Sequence, residues 1–195
     1  MHLLLGKGTA VIFLNELHTP FFDQFFKYYT YLGSGFVLLA LALLSSFISY
    51  RVSLLTILIA VFQGVTVFLF KVLLFPGIPR PPTYFMDDPL ELHFVEGVSI
   101  LYYRSFPSGH TLTAFSVALL LASSSKSYVL SAGLLLYALL VGVSRVYLAH
   151  HFLIDTVAGA VLGISVTLLA LFISKKSGFF KRHSLDHGLQ MRSRS

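Results

Sequence analysis

Three short clusters of polar and ionisable residues interrupt an otherwise apolar chain. In Phe106-Pro107-Ser108-Gly109-His110, Ser108 is a good helix N-cap and Gly109 lets an anion come close to the backbone. A helix N-terminus offers unpaired N–H donors and the positive end of a dipole, which together suit phosphate. His110, in the first turn, can give a proton to a leaving oxygen. The second cluster runs from Ser144-Arg145 to His150-His151 and Asp155. His151 and Asp155 are four apart, so a helix places them on one face, where the carboxylate can fix the imidazole tautomer and leave its other nitrogen free to attack. Arg145 brings a planar fork suited to phosphate oxygens. In the third cluster, Lys71 precedes Arg80-Pro81-Pro82, and two such cations can neutralise a dianion. Each cluster also has an ordinary explanation: a capped helix with a surface His, polar residues bonding one another inside a bundle, and cations reaching lipid headgroups.

The elements that must position these residues follow from composition. Hydrophobic residues make up 56% of the chain and charged ones 11%, where soluble domains carry about a quarter charged residues. A bilayer is the solvent that accommodates such a chain, and its length suits one domain. There is no cysteine, which excludes disulfides, thiolate catalysis and cysteine metal sites. The reading is all-α: an integral membrane helical bundle, with backbone hydrogen bonds satisfied inside each span. Five spans are expected, at about Tyr31 to Ser49, Val52 to Phe75, Ser108 to Ser123, Tyr128 to Tyr147 and His151 to Ile173. An interfacial amphipathic helix should precede them and run into His18-Thr19-Pro20, with Pro20 opening the next helix.

Charge sets the orientation. Arg51, Lys126 and the tail residues Lys175, Lys176, Lys181, Arg182, Arg192 and Arg194 all fall on one side of a five-span bundle. The positive-inside rule makes that side cytoplasmic. The membrane domain then covers 1–174 and a basic cytoplasmic tail 175–195. The net charge of +6 points to membrane topology and anionic lipid, not to nucleic acid. The opposite, outer face holds all three clusters.

Taken in order, the three clusters resemble the signature of the type 2 phosphatidic acid phosphatase superfamily, the lipid phosphate phosphatases. Pro107-Ser108-Gly109-His110 matches its second motif, and Ser144, Arg145, His151 and Asp155 match its third. The spacing of that motif selects His151 over His150. The first motif departs: eight residues separate Lys71 from Arg80, where the family pattern has six, and an excursion at Pro76, Gly77 and Pro79 could absorb the difference. The stretch from Asn15 to Gly33, with Pro20, Asp23 and Thr30, is also similar to bacterial members. The resemblance implies that His151 attacks phosphorus to form a phosphohistidine, Asp155 orients it, and His110 protonates the leaving group. Lys71, Arg80, Ser108, Gly109 and Arg145 then bind the phosphoryl oxygens. It implies no cofactor and no metal, because these cations do the neutralising that Mg²⁺ does elsewhere. The implied partners are the bilayer and a lipid phosphate substrate: undecaprenyl diphosphate, phosphatidylglycerophosphate or phosphatidate.

Other readings use the same residues. An intramembrane serine hydrolase would use Ser108 as nucleophile. A metal centre could draw on His110, His150, His151 and Asp155. A lipid transporter could keep the scaffold without catalysis. Outside the clusters, Phe21, Phe22, Phe25, Phe26, Tyr28 and Tyr29 suggest an interfacial aromatic belt or a lateral path for a lipid chain. Asp87, Asp88 and Glu91 fit a solvated loop. Arg104 could meet a second phosphate.

Overall fold

The computed structural model describes residues 6–88, 91–180, 185, 186, 188 and 189. It is an all-α membrane bundle; the only extended pairing among the described residues is a single antiparallel bridge between Pro79 and Tyr103. The elements are α1 (Thr9–Glu16), α2 (Pro20–Tyr29) with a 3-10 turn at Thr30–Gly33, α3 (Gly35–Ser46), α4 (Tyr50–Phe68) continuing as a π-helical segment at Leu69–Leu74, the short α5 (Pro81–Tyr84), α6 (Gly109–Ser123), α7 (Tyr128–Tyr147) and α8 (Leu153–Lys176). Their outward faces carry exposed apolar side chains such as Leu43, Val61, Leu135 and Leu168. These need lipid as their solvent.

Of the five expected spans, the one beginning near Tyr128 has the bounds expected. The span through α4 is longer than the α-helix proper, because the π segment extends it to Leu74. The first span is not one rod. Pro20–Gly33 and Gly35–Ser46 are two helical pieces bent by 55°. Pro20 opens α2 as expected, with the Thr19 hydroxyl accepting the Phe22 N–H at 3.2 Å. The break follows from Gly33. A side chain there would come within 2.5 Å of Val141 and 2.8 Å of the His110 carbonyl, so only glycine lets the chain press this closely on α6 and α7.

Among the described residues three helices are long and apolar enough to cross a membrane, or four if the bent pair is one span. The third expected span is a shorter apolar helix. Gly109–Ser123 has 15 residues, about 22 Å of helix, short of a hydrocarbon core of ~30 Å. This helix is the centre of the bundle, packed on α7 and α8 with further contacts to α3 and α4. Gly159 and Gly163 let α8 lie directly on it: a Cβ at Gly159 would stand 2.5 Å from the Ser108 carbonyl oxygen. That close crossing ties the start of α8 to the start of α6, where the Ser108 N–H donates to the Asp155 carbonyl at 2.9 Å.

The N-terminal helix is docked, not merely interfacial. Val11 of α1 is fully buried among Phe85, Val146, Ala149 and Phe152. The Asn15 side chain donates to the carbonyls of His93 and Tyr147 and accepts the His93 N–H. Apolar packing at the far end of the bundle joins Leu38, Ile59, Val117, Leu120 and Val166. Arg51, Lys126, Lys175 and Lys176 lie at that far end, at the starts or ends of α4, α7 and α8. Arg51 pairs with Asp186 at 3.0 Å. The tail residues Lys181, Arg182, Arg192 and Arg194 lie outside the described residues.

Candidate active site

The candidate residues converge at one end of the bundle. α4 and its π segment bring Lys71 there, α6 starts there, α7 ends there with Arg145, and α8 starts there with Asp155. Arg80 arrives on the loop between α4 and α6. In water-poor surroundings each of these polar groups needs a partner, and the partners define the geometry.

His151 is nearly fully buried. It lies in the turn between α7 and α8, not on α8. This corrects the expectation that His151 and Asp155 share one helical face. The turn is tight because the Arg145 carbonyl accepts the N–H groups of both His150 and His151, at 3.0 and 3.1 Å. Ala149 takes a φ of 52° to allow it. Asp155 sits in the first turn of α8 and folds back, its Oδ2 accepting the Phe152 N–H at 3.0 Å. The same oxygen accepts the hydroxyl of Ser105 at 2.5 Å and stands 3.6 Å from His151 Nδ1. Asp155 thus reaches His151 because it caps the helix, and its contact is an electrostatic brace more than a full hydrogen bond.

The other ring nitrogen, Nε2, lies 3.2 Å from Arg80 Nη1. Arg80 is itself buried and held on every side by carbonyl oxygens. Nε donates to Tyr103, Nη1 to His150 at 2.7 Å, and Nη2 to Arg104 at 3.2 Å. Burial lowers its pKa to about 10, against the favourable charge of Asp155, so it stays cationic at neutral pH. Burial, then the cations Arg80, Arg145 and Lys71, holds His151 well below its ordinary value. A neutral imidazole with a free lone pair is the form that can attack an electrophile. His150 is also pushed down, to about 3, by burial and Arg145. Its Nε2 is engaged at 2.9 Å by the Ser99 carbonyl, so it serves the fold of the loop between α5 and α6.

Lys71 lies beside Arg80. Its Nζ donates to the Arg104 carbonyl at 3.1 Å, the same oxygen that Arg80 Nη2 uses. The two additional residues between Lys71 and Arg80 are absorbed by the π-helical segment at Leu69–Leu74 together with a turn at Pro76-Gly77, a wider helix turn taking more residues per bond. Arg145 is buried, with Nη1 donating to the Thr30 hydroxyl at 2.6 Å and Nε without a partner among the described residues. Thr30 therefore aims this guanidinium from the bent first span.

Ser108 caps α6 as expected, accepting from the Thr111 N–H and hydroxyl at 3.5 and 3.0 Å. It is fully buried, and its own N–H is spent on Asp155. The open face belongs to Gly109, where an added Cβ would meet nothing within 4 Å. The N–H groups of Gly109 and His110 have no acceptor among the described residues, which leaves them for an anion. His110 follows in the first turn, half-buried, within the electrostatic reach of Arg145, Lys71 and Arg80. His110, His150, His151 and Asp155 do not form a metal-holding group; none of three or more His, Asp or Glu side chains occurs among the described residues.

Several supporting residues had no sequence signal. Ser105 and the backbone of Tyr103 and Arg104 lie in an ordinary-looking loop, and only long-range contacts give them a part. A second network closes that loop onto the N-terminal helices. Asp23 accepts the Tyr147 hydroxyl at 2.6 Å and lies 2.9 Å from His93 Nε2, while His18 stacks on His93. Asn15 and Asp23 thus tie that loop at His93 to the end of α7 at Tyr147, and Thr30 holds Arg145.

Comparison with known proteins gives the family. The model of the PAP2 superfamily matches residues 49–179. No curated protein matches. Among solved structures, Aquifex aeolicus LpxE is similar at 32% identity and a TM-score of 0.70, covering 83% of this chain and 92% of its own. A transmembrane PAP2-type phosphatidylglycerolphosphate phosphatase from Bacillus subtilis is similar at 26% identity and a TM-score of 0.66, covering 89% of this chain and 87% of its own. With the family model matching more than half of the chain and both relatives sharing its fold, the protein belongs to the PAP2 superfamily and is a membrane phosphatase.

Proposed function

We propose that the protein hydrolyses a phosphomonoester or diphosphate on a membrane lipid at the outer face of a bacterial inner membrane, with its C-terminus cytoplasmic, through a phosphohistidine at His151. The observation that carries this reading is the two-sided hold on one imidazole: Asp155 behind Nδ1 and the Arg80 guanidinium beside Nε2. The phosphoryl group binds where Arg80, Arg145, Lys71 and the free amides of Gly109 and His110 meet. His151 Nε2 bonds to phosphorus as the P–O bond to the lipid breaks. The electron pair leaves on the lipid oxygen, which takes a proton from His110. Water then attacks phosphorus, gives its proton to His110, and the P–N bond breaks to free phosphate and neutral His151. The cations supply the charge neutralisation, so the reading requires no metal. The placement of Arg51, Lys126, Lys175 and Lys176 at the end opposite the site supports the orientation. The test is phosphate release from a panel of lipid phosphates in EDTA, native against His151→Ala. The expected result is release by the native protein alone and an acid-labile phosphoryl label on it; equal release by both ends the proposal.

A further inference from the structure

Arg104 is the cation of this site that the mechanism above leaves without a task. Its backbone is in the left-handed region, with φ 60°, a conformation unfavourable for any side chain but glycine's and, to a lesser degree, asparagine's. That backbone turns its carbonyl toward Lys71 and Arg80, which both donate to it. Glycine would hold the carbonyl there without penalty, so scaffolding does not account for an arginine. The side chain is exposed and has no hydrogen-bonding or ionic partner among the described residues. Lys71, Arg80 and Arg145, by contrast, are each tied to a protein oxygen. Its charge lies within electrostatic reach of Lys71, and its own carbonyl is the oxygen that Lys71 and Arg80 share.

We infer that Arg104 forms a subsite for a second phosphate, so that the protein is selective for lipid diphosphates over lipid monophosphates. This rests on the phosphatase reading. The terminal phosphoryl group lies among Lys71, Arg80 and Arg145 and is transferred to His151 Nε2. The P–O bond on the bridging oxygen breaks and its electron pair stays on the departing lipid monophosphate. Arg104 then faces the charge that develops there.

Farnesyl diphosphate and farnesyl monophosphate share one chain and differ in the second phosphate. Phosphate release from each is measured in neutral detergent micelles, with Arg104→Gly, Arg104→Asn and Arg104→Lys beside the native protein. Gly and Asn tolerate the backbone, which keeps the fold. The expected result is that the diphosphate-to-monophosphate ratio of kcat/KM falls about tenfold in both, the size of one charge-assisted contact, with partial recovery in Arg104→Lys. An unchanged ratio, or an equal fall for both substrates, overturns the inference. Repeating the assay in vesicles of anionic phospholipid separates the other phosphate source: an effect seen only there and alike for both substrates assigns Arg104 to bilayer headgroups and overturns the subsite. If the native protein and His151→Ala release phosphate alike, the phosphatase reading fails; if only the ratio is unmoved, Arg104 alone is misassigned.

Discussion

The hydroxyl of Ser105 donates to Asp155 Oδ2 at 2.5 Å, and that oxygen is the one facing His151. Ser105 therefore sets the angle of the carboxylate behind the imidazole without touching the reacting atoms. Ser105→Ala leaves Asp155 with the Phe152 N–H as its remaining donor on that oxygen. Losing a hydrogen bond to a buried charge is worth about 1.5–3 kcal/mol, so kcat should fall about ten- to a hundredfold. KM should change little, because the phosphate ligands are intact. A kcat equal to native would remove Ser105 from the positioning set.

His151→Ala should abolish turnover and the phosphoryl label together. Asp155→Asn should fold, since an amide oxygen can still accept from Phe152. It should lose on the order of a hundredfold or more in kcat through a misaligned, less stabilised imidazole. Rapid quench with ³²P-labelled lipid checks both. Label persisting in His151→Ala would place the nucleophile elsewhere.

Arg145 and Thr30 form a graded pair. Arg145→Lys replaces a planar fork by a point charge and leaves the Thr30 hydroxyl without its donor. A loss of about a hundredfold in kcat/KM is expected, in line with removing a charged donor from a transition-state site. Thr30→Val keeps the guanidinium and removes only its guide, so its loss should be smaller. A Thr30→Val defect larger than that of Arg145→Lys would mean that Thr30 supports the fold of the bend instead.

The pH profile follows from the hold on His151. Protonation blocks attack, and burial with three cations pushes that protonation below the ordinary imidazole value. The acid limb of kcat/KM that belongs to His151 should therefore lie below about pH 6.5. Stability has a matching sign. His150 and His151 are neutral when folded and take protons when unfolded below about 6.5. Their contribution is complete above that pH and drains away as pH falls toward the folded values, which for His150 is about 3. Melting temperature measured from pH 8 to pH 5 should drop on the acid side, less so in His150→Gln.

Gly159→Val tests the seat that joins the two motif-bearing helices. The added side chain would meet the Ser108 carbonyl and Thr111, and overpacking typically costs ~1–3 kcal/mol. Melting temperature should fall, and kcat with it, because Ser108 and Asp155 meet across this crossing. An unchanged kcat in the folded variant would show that the crossing tolerates a shift of the helix starts.

Much of this was legible from residue type and spacing. The apolar runs with bounded polar clusters determined the all-α bundle, and the bounds of α7 were read directly from Tyr128 and Tyr147. The convergence of Arg80, Arg145, His151 and Asp155 at one end followed from span count and motif position. Tertiary structure decided the rest. It showed that Pro20–Ser46 is bent, that α6 is a short buried axis, and that His151 lies in a turn while Asp155 reaches it by capping α8. It also brought in Ser105, Thr30 and the Arg104 carbonyl. The physical reason is that hydrophobic periodicity and helix ends are local properties, carried by neighbours within a turn or two. A hydroxyl aimed at a carboxylate fifty residues away, or a carbonyl shared by two cations, exists only once separate segments pack together.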